Sequence, residues 1–183
     1  MANIKLEDVD ILFSEEQIKS RIEEIANILN EQYKDEEVCA ICVLKGAVMF
    51  ATDLVRNLNI PLTMEFIRLS SYGHSTSTSG KVNAVDISLP NLNDKNVLII
   101  EDIVDTGLTA KFLLDFIKSN FNTKSTKFVS LLDKKISRQT DVEPDYYGFE
   151  IDDKFVVGFG LDYSGLYRNL KFIGYIDKSH LTD

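Results

Sequence analysis

Apolar residues fall along this chain in two alternating patterns. Apolar runs of strand length occupy residues 38–44, 96–100 and 127–132, and such runs read as strands buried on both faces; residues 62–69 also read as a strand. Between them, apolar positions recur every three or four residues: Ile18, Ile22, Ile25 and Leu29; then Val48, Ala51, Val55 and Leu58; then Phe112, Leu113, Phe116 and Ile117. That spacing predicts three amphipathic helices. The first opens on Ser14, Glu15, Glu16 and Gln17, a capping-box signature in which the serine hydroxyl accepts from the third amide and the glutamine reaches back. It extends to about Tyr33. Gly46 ends the first strand, Pro61 separates the second helix from the next strand, and the third helix covers 109–121.

The remaining stretches are less regular. Residues 82–87 read as a further strand and 90–95 as a turn, while 155–157 and 172–176 are short strand-like pieces around a glycine-rich turn. Residues 70–80 are rich in Ser, Thr and Gly, with little to bury, and are expected to form a flexible flap. Buried strands alternating with helices imply an α/β fold: an open, mostly parallel twisted sheet with helices on both faces. At 183 residues, with no internal repeat and no linker, a single domain over 1–183 is expected.

Composition narrows the class. Hydrophobic residues make up 44% and charged residues 27%, which excludes a disordered or collagen-like chain. The net charge of −9 repels nucleic acid and anionic membranes at long range, so neither is an expected partner. A bound polyanion would need a local basic site or a divalent cation. The N-terminal residues show no secretory pattern and no apolar run is long enough for a bilayer, so a cytoplasmic location is expected. Cys39 and Cys42 form a C-x-x-C, but they sit in an apolar strand. Residues three apart there point to opposite faces about 10 Å apart, beyond the roughly 7 Å a disulfide spans. Core packing is their expected role.

The chemistry concentrates in Val97-Leu-Ile-Ile-Glu101-Asp102-Ile-Val-Asp105-Thr106-Gly107-Leu108-Thr109. A buried strand ends in two adjacent carboxylates, a short loop follows, and a helix begins. Ligands of open α/β sheets bind at the carboxyl ends of strands, and a helix start offers free amides and a positive dipole end to a phosphate. Gly107 permits close backbone approach, and Thr106 and Thr109 add hydroxyl donors. The two acids would repel that phosphate unless they hold something else, such as ribose hydroxyls or Mg²⁺. On geometry alone a plainer reading stays open: Glu101 and Asp102 as solvated acids, Asp105 as an N-cap.

This segment resembles the phosphoribosyl pyrophosphate motif of the type I phosphoribosyltransferases: an apolar run, two acids, two apolar residues, then Asp-Thr/Ser-Gly-x-Thr. Leu44-Lys45-Gly46 is similar to the pyrophosphate loop of the hypoxanthine-guanine members, and Ser71-Tyr72 to their closing flap. The block from Gly148 to Tyr163, followed by Arg168, resembles their base-binding hood. The likeness covers nearly the whole chain from Ser14 to Ile176. It implies a hood built from the C-terminal part and the N-terminal segment, and a flap at about 70–80. It also implies a Mg²⁺-dependent transfer of phosphoribosyl from 5-phosphoribosyl 1-pyrophosphate to a 6-oxopurine base, in a homodimer or homotetramer.

The same resemblance assigns roles. Asp105 would be the general base near the purine imidazole nitrogen, and Glu101 and Asp102 would hold the ribose hydroxyls and the Mg²⁺ shell. Thr106, Gly107, Leu108 and Thr109 would cradle the 5′-phosphate. Lys45, Gly46 and Arg168 would meet the pyrophosphate, and Asp162 would be the main protein contact of Mg²⁺. Lys134, rather than the adjacent Lys135, would donate to the purine 6-oxygen. Phe155 would stack on the base, and the Val156 carbonyl would accept from a 2-amino group. Leu108 stands where some members carry lysine, which removes one phosphate contact. His74 and His180 are bystanders in this reading. The competing readings are a xanthine- or adenine-specific enzyme, an RNA-binding regulator on the same fold, and a binding-only protein. The regulator needs a basic face, and no Lys/Arg cluster here exceeds two in a row.

Overall fold

The computed structural model describes residues 5–71 and 82–177. Its centre is β2 (Val38–Leu44), buried along nearly its whole length. β2 pairs in parallel with β3 (Leu62–Ser71) on one side and with β5 (Asn96–Val104) on the other. β6 (Ser125–Asp133) and β7 (Tyr146–Glu150) continue the parallel sheet, and β4 (Val82–Asp86) runs antiparallel along β3. The order is β4-β3-β2-β5-β6-β7. Parallel neighbours need crossovers, and these lay helices on the sheet faces. α1 (Glu15–Gln32) and α2 (Val48–Arg56) cover one face, where Ile22, Ile25, Phe50 and Leu54 meet Ala40, Cys42, Leu98 and Ile100. α3 (Leu108–Asn120) covers the other, with Leu113 and Ile117 against Cys39, Ile41, Val97 and Ile99. The capping box forms as expected: Gln17 N donates to Ser14 Oγ at 3.3 Å and Ser14 N to Gln17 Oε1 at 2.9 Å.

Three features depart from the sequence reading. First, β5 runs on to Val104, so Glu101 and Asp102 lie within the strand rather than after it. β6 explains this: it continues alongside, pairing Glu101 with Ser130, Ile103 with Leu132 and Val104 with Asp133, and ladder bonds outweigh the polar side chains. Second, β3 includes Ser70 and Ser71, whose backbones pair with Asn83 and Val82, so these two residues of the expected flap belong to a strand. Tyr72 and His74, with the rest of that loop, and His180 lie outside the described residues. Third, a strand precedes the first helix. β1 (Val9–Phe13) joins β9 (Ile173–Ile176) and β8 (Phe155–Val157) in a separate antiparallel sheet ordered β1-β9-β8, closed over Val9, Val157 and Ile176. β1 is short and interrupted by Asp10, and it becomes a strand only through its distant partner.

Among the described residues no helix is long and apolar enough to cross a membrane. The cysteines are unlinked and buried on opposite faces of β2, Cys39 towards α3 and Cys42 towards α1 and α2. Burial, then the charges of Glu101 and Asp102, push the Cys42 thiol up to about 12. Thiolate is the reactive form, so native protein at pH 8 should leave both cysteines unmodified by iodoacetamide, and guanidinium-unfolded protein should take up two labels by mass. Rapid labelling of native protein would contradict this packing.

Candidate active site

The carboxyl ends of β2, β5 and β6 lie side by side in the parallel sheet. One cavity of about 230 Å³ is lined by Glu101, Asp102, Asp105, Thr106, Gly107 and Thr109. Its floor turns at Gly107, whose φ of +79° is a left-handed conformation that suits glycine. A Cβ at Gly107 would also lie 2.2 Å from Thr140 Oγ1 and 2.8 Å from Arg138 Cδ. Gly107 is the N-cap of α3, and no side chain caps that end. The first-turn amides thus remain available to an anion, apart from a long 3.4 Å bond from Leu108 N to Thr106 Oγ1.

The two strand carboxylates are held without neutralising partners. Glu101 is buried, and its Oε1 has no hydrogen-bond partner. Burial, followed by the charge of Asp102, raises its carboxyl well above the usual range. Asp102 is half-buried, and burial lifts it to about 6 against the pull of the Ile103 amide, its own backbone and Arg168; Asp162 adds to the rise. Ile103 N donates to Asp102 Oδ1 at 2.9 Å. The turn after β2 packs against the same group: a Cβ on Gly46 would stand 1.6 Å from Asp102 Oδ2. Lys45, next to it, is exposed.

The turn that follows β8 closes another side. Gly160 has φ +102°, and a Cβ there would lie 2.0 Å from the Gly46 carbonyl oxygen, so the small sheet and the β2 turn touch backbone to backbone. Arg168 donates from Nη1 to Gly160 O and pairs from Nη2 with Asp162 Oδ1, each at 2.6 Å. Asp162 Oδ2 accepts from Gly165 N at 2.7 Å. Arg168 is therefore ion-paired, yet close enough to Asp102 to act on it.

The two candidate lysines diverge. Lys134 Nζ sits 3.0 Å from Asp153 Oδ1 and 4.0 Å from Asp105 Oδ1, with its side chain only 11% exposed. Lys135 pairs with Glu150 at 2.7 Å and lies over the Tyr147 ring. Lys134 alone of the two neighbours Asp105. Phe155 is half-buried and meets Tyr163 edge to face at 5.5 Å; Val156 beside it is buried. Ser71 closes β3 at the far side, and its side chain, like all of Tyr72, is outside the described residues. The sequence reading passed over Arg138, Asp133 and Asp153. Arg138 and Asp133 stand in no motif and Asp153 only inside the hood block, where it was given no role; the fold brings all three to the strand ends.

Among the described residues no three metal-ligating side chains converge. The donors present still suit a hard, water-rich cation: Glu101 offers a bare oxygen, and Asp102 and Asp162 are near enough to interact electrostatically. Mg²⁺ is characteristically held by one or two carboxylates, with substrate oxygens and water completing its shell.

Comparison with known proteins follows this geometry. Residues 8–164 match the family described as Phosphoribosyl transferase domain. The chain is 43% identical to the hypoxanthine-guanine phosphoribosyltransferase of Bacillus subtilis over 90% of this chain and 91% of that protein. Its structure is similar to the crystal structure of a hypoxanthine phosphoribosyltransferase from Staphylococcus aureus, with a TM-score of 0.91 at 36% identity over 97% and 96% of the two chains. It is also similar to that of a hypoxanthine-guanine phosphoribosyltransferase from Bacillus anthracis, with a TM-score of 0.86 at 42% identity over 92% and 98%.

A carboxyl held near 6 keeps its proton in the folded protein at pH values where the unfolded chain has already lost it. Its contribution to stability therefore falls as pH rises from about 4 to about 6 and stays low above that. Asp102→Asn removes the penalty while its amide oxygen can still accept from Ile103. In ligand-free, chelator-treated protein the substitution should raise the Tm by roughly 2–6 °C at pH 7.5 and by less at pH 4.5. An unchanged or lower Tm at pH 7.5 would refute the burial penalty.

Proposed function

The chain belongs to the phosphoribosyltransferase family, and on that basis we propose that it salvages purines. It transfers the phosphoribosyl group of 5-phosphoribosyl 1-pyrophosphate to hypoxanthine or guanine, giving IMP or GMP and pyrophosphate. The observation that carries this reading is the β5–α3 junction, where an uncapped helix start stands beside a buried carboxylate with an unpartnered oxygen.

In this reading the backbone and hydroxyls of Thr106, Gly107, Leu108 and Thr109 cradle the 5′-phosphate. Glu101 and Asp102 accept from the ribose hydroxyls, which supply the partner that Glu101 Oε1 lacks. Lys45, the Gly46 amide and Arg168 face the pyrophosphate. Asp162, with Glu101 and Asp102, would hold a Mg²⁺ ion that neutralises charge developing on the leaving group. The base stacks on Phe155, its 6-oxygen accepts from Lys134, and a 2-amino group donates to the Val156 carbonyl. An ammonium has donors only, which favours 6-oxopurines over adenine, and a carbonyl acceptor disfavours the 2-oxygen of xanthine. Ser71 and Tyr72 belong to the flap in the same reading, and the β1-β9-β8 sheet serves as the hood.

The transfer itself needs little covalent chemistry. An imidazole nitrogen of the base attacks the anomeric carbon, the bond to pyrophosphate breaks, and its electron pair leaves with the pyrophosphate. The nitrogen's proton passes to Asp105, whose Oδ1 has no hydrogen-bond partner and lies 4.0 Å from the Lys134 ammonium. Most of the acceleration then comes from orientation and fixed charge. A cytoplasmic location and a homodimer or homotetramer complete the proposal; the exposed apolar side chains of Met49 and Phe66 offer surface for self-association.

The direct test is formation of IMP and GMP with and without Mg²⁺, with xanthine and adenine in parallel. Only hypoxanthine and guanine should react at substantial rates, and a preference for adenine or xanthine would overturn the proposal. Asp105→Asn should lower kcat by about 10²–10⁴ with the Kd for 5-phosphoribosyl 1-pyrophosphate nearly unchanged; an unaltered kcat rejects the base role. Lys134→Ala should raise KM for both bases by at least about tenfold, and Lys135→Ala should not. The reverse pattern would assign the contact to Lys135.

A further inference from the structure

Arg138 lies in the segment after β6 and has no part in the roles above. Its guanidinium nonetheless gathers the ends of two strands. Nε donates to Asp105 O at 3.1 Å and Nη2 to Val104 O at 3.3 Å, both on the β5 side. Nη2 also pairs with Asp133 Oδ1 at the end of β6, and Nη1 donates to Val142 O in the following loop. The side chain is only 11% exposed and Asp133 is 1% exposed. Around this centre the backbones are laced as well: Lys134 N donates to Val104 O and Gln139 N to Thr106 O, each at 2.9 Å. The Arg138 side chain also backs Gly107, leaving no room for a Cβ there.

We propose that Arg138 is a positioning residue that locks the phosphate-binding loop at 105–109 to the segment carrying Lys134. Sugar-phosphate binding and base binding would then depend on one buried guanidinium that touches neither ligand. Two segments far apart in sequence must present the 5′-phosphate cradle and the 6-oxygen donor at a set separation. A planar fork with donors in several fixed directions can hold both backbones at once. Lysine, with one ammonium on a flexible stem, cannot span the same four acceptors. Asp133 fits the same role: its Oδ2 has no hydrogen-bond partner and its nearest other cation is Lys135 Nζ at 4.0 Å, so it serves chiefly to seat the guanidinium.

The inference rests on reading this site as that of a phosphoribosyltransferase, and its test separates the two. Arg138→Lys is compared with wild type by amide hydrogen exchange of the ligand-free protein and by steady-state kinetics. Amides of residues 104–109 and 134–139 should exchange about tenfold faster or more while those of α1 are unchanged. KM for 5-phosphoribosyl 1-pyrophosphate should rise about ten- to a hundredfold, KM for the base should rise with it, and kcat at saturation should change by less than about threefold. Because the lysine variant could leave Asp133 buried and unpaired and so fail to fold, Asp133→Asn/Arg138→Met removes both charges together and should show the same exchange and KM changes. Unchanged KM values in a folded variant, or exchange that quickens equally throughout the chain, would reduce Arg138 to a stability role. If wild type forms neither IMP nor GMP, the functional reading fails, while the exchange data still decide whether Arg138 holds the loop.

Discussion

Two adjacent carboxylates carried into a poorly solvated position at the end of β5 set the terms for everything around them. Charges taken out of water are costly unless paired, and here the protein leaves them unneutralised: Glu101 Oε1 has no hydrogen-bond partner and both carboxyls hold protons more tightly than usual. The strand can bear this because parallel ladders hold it whatever its side chains prefer, to β2 as far as Ile100 and to β6 as far as Val104. The proposed ligand supplies what is missing, since ribose hydroxyls and a cation are the natural complements of such acids. The uncapped start of α3, a few residues on, would then take the phosphate that the acids would otherwise repel.

Backbone contact holds the walls of the site together. Gly46 lies against Asp102, and Gly160 lies against Gly46. This chain of close approaches joins β2, β5 and the turn beyond β8 with no room for a side chain. The small sheet is thereby fixed relative to the large one at the point where a base and a pyrophosphate would meet. The geometry of transfer depends on that registration, because a reaction with little covalent assistance relies on the placement of its reactants.

Much of this was legible before any coordinates. The parallel sheet followed from apolar runs at 38–44 and 96–100 separated by helical spacing, and the N-terminus of α1 from Ser14 and Gln17. The Glu101–Thr109 segment stood out by its order of acids, glycine and threonine, and its resemblance to the phosphoribosyl pyrophosphate motif gave it a role. What stayed hidden depended on distant partners. β1 is unremarkable until β9 lies beside it, β5 extends past Ile100 only because β6 does, and Arg138 is one more basic residue until Val104 and Asp105 are brought to it. Local pattern reports local preference, and these features are settled by pairing across more than 25 residues of chain.

Two cations of the site are already occupied. Lys134 leans on Asp153 and Arg168 on Asp162, while Lys45 stands exposed, so the pyrophosphate proposed to face Arg168 would take it over by partner exchange. Binding of that kind expels few small ions from the surroundings, and expulsion of counterions is what makes polyanion recognition sensitive to salt. Despite a highly charged substrate, the share of its binding that falls to Arg168 should therefore vary little between dilute and concentrated electrolyte, a tolerance built from a borrowed carboxylate.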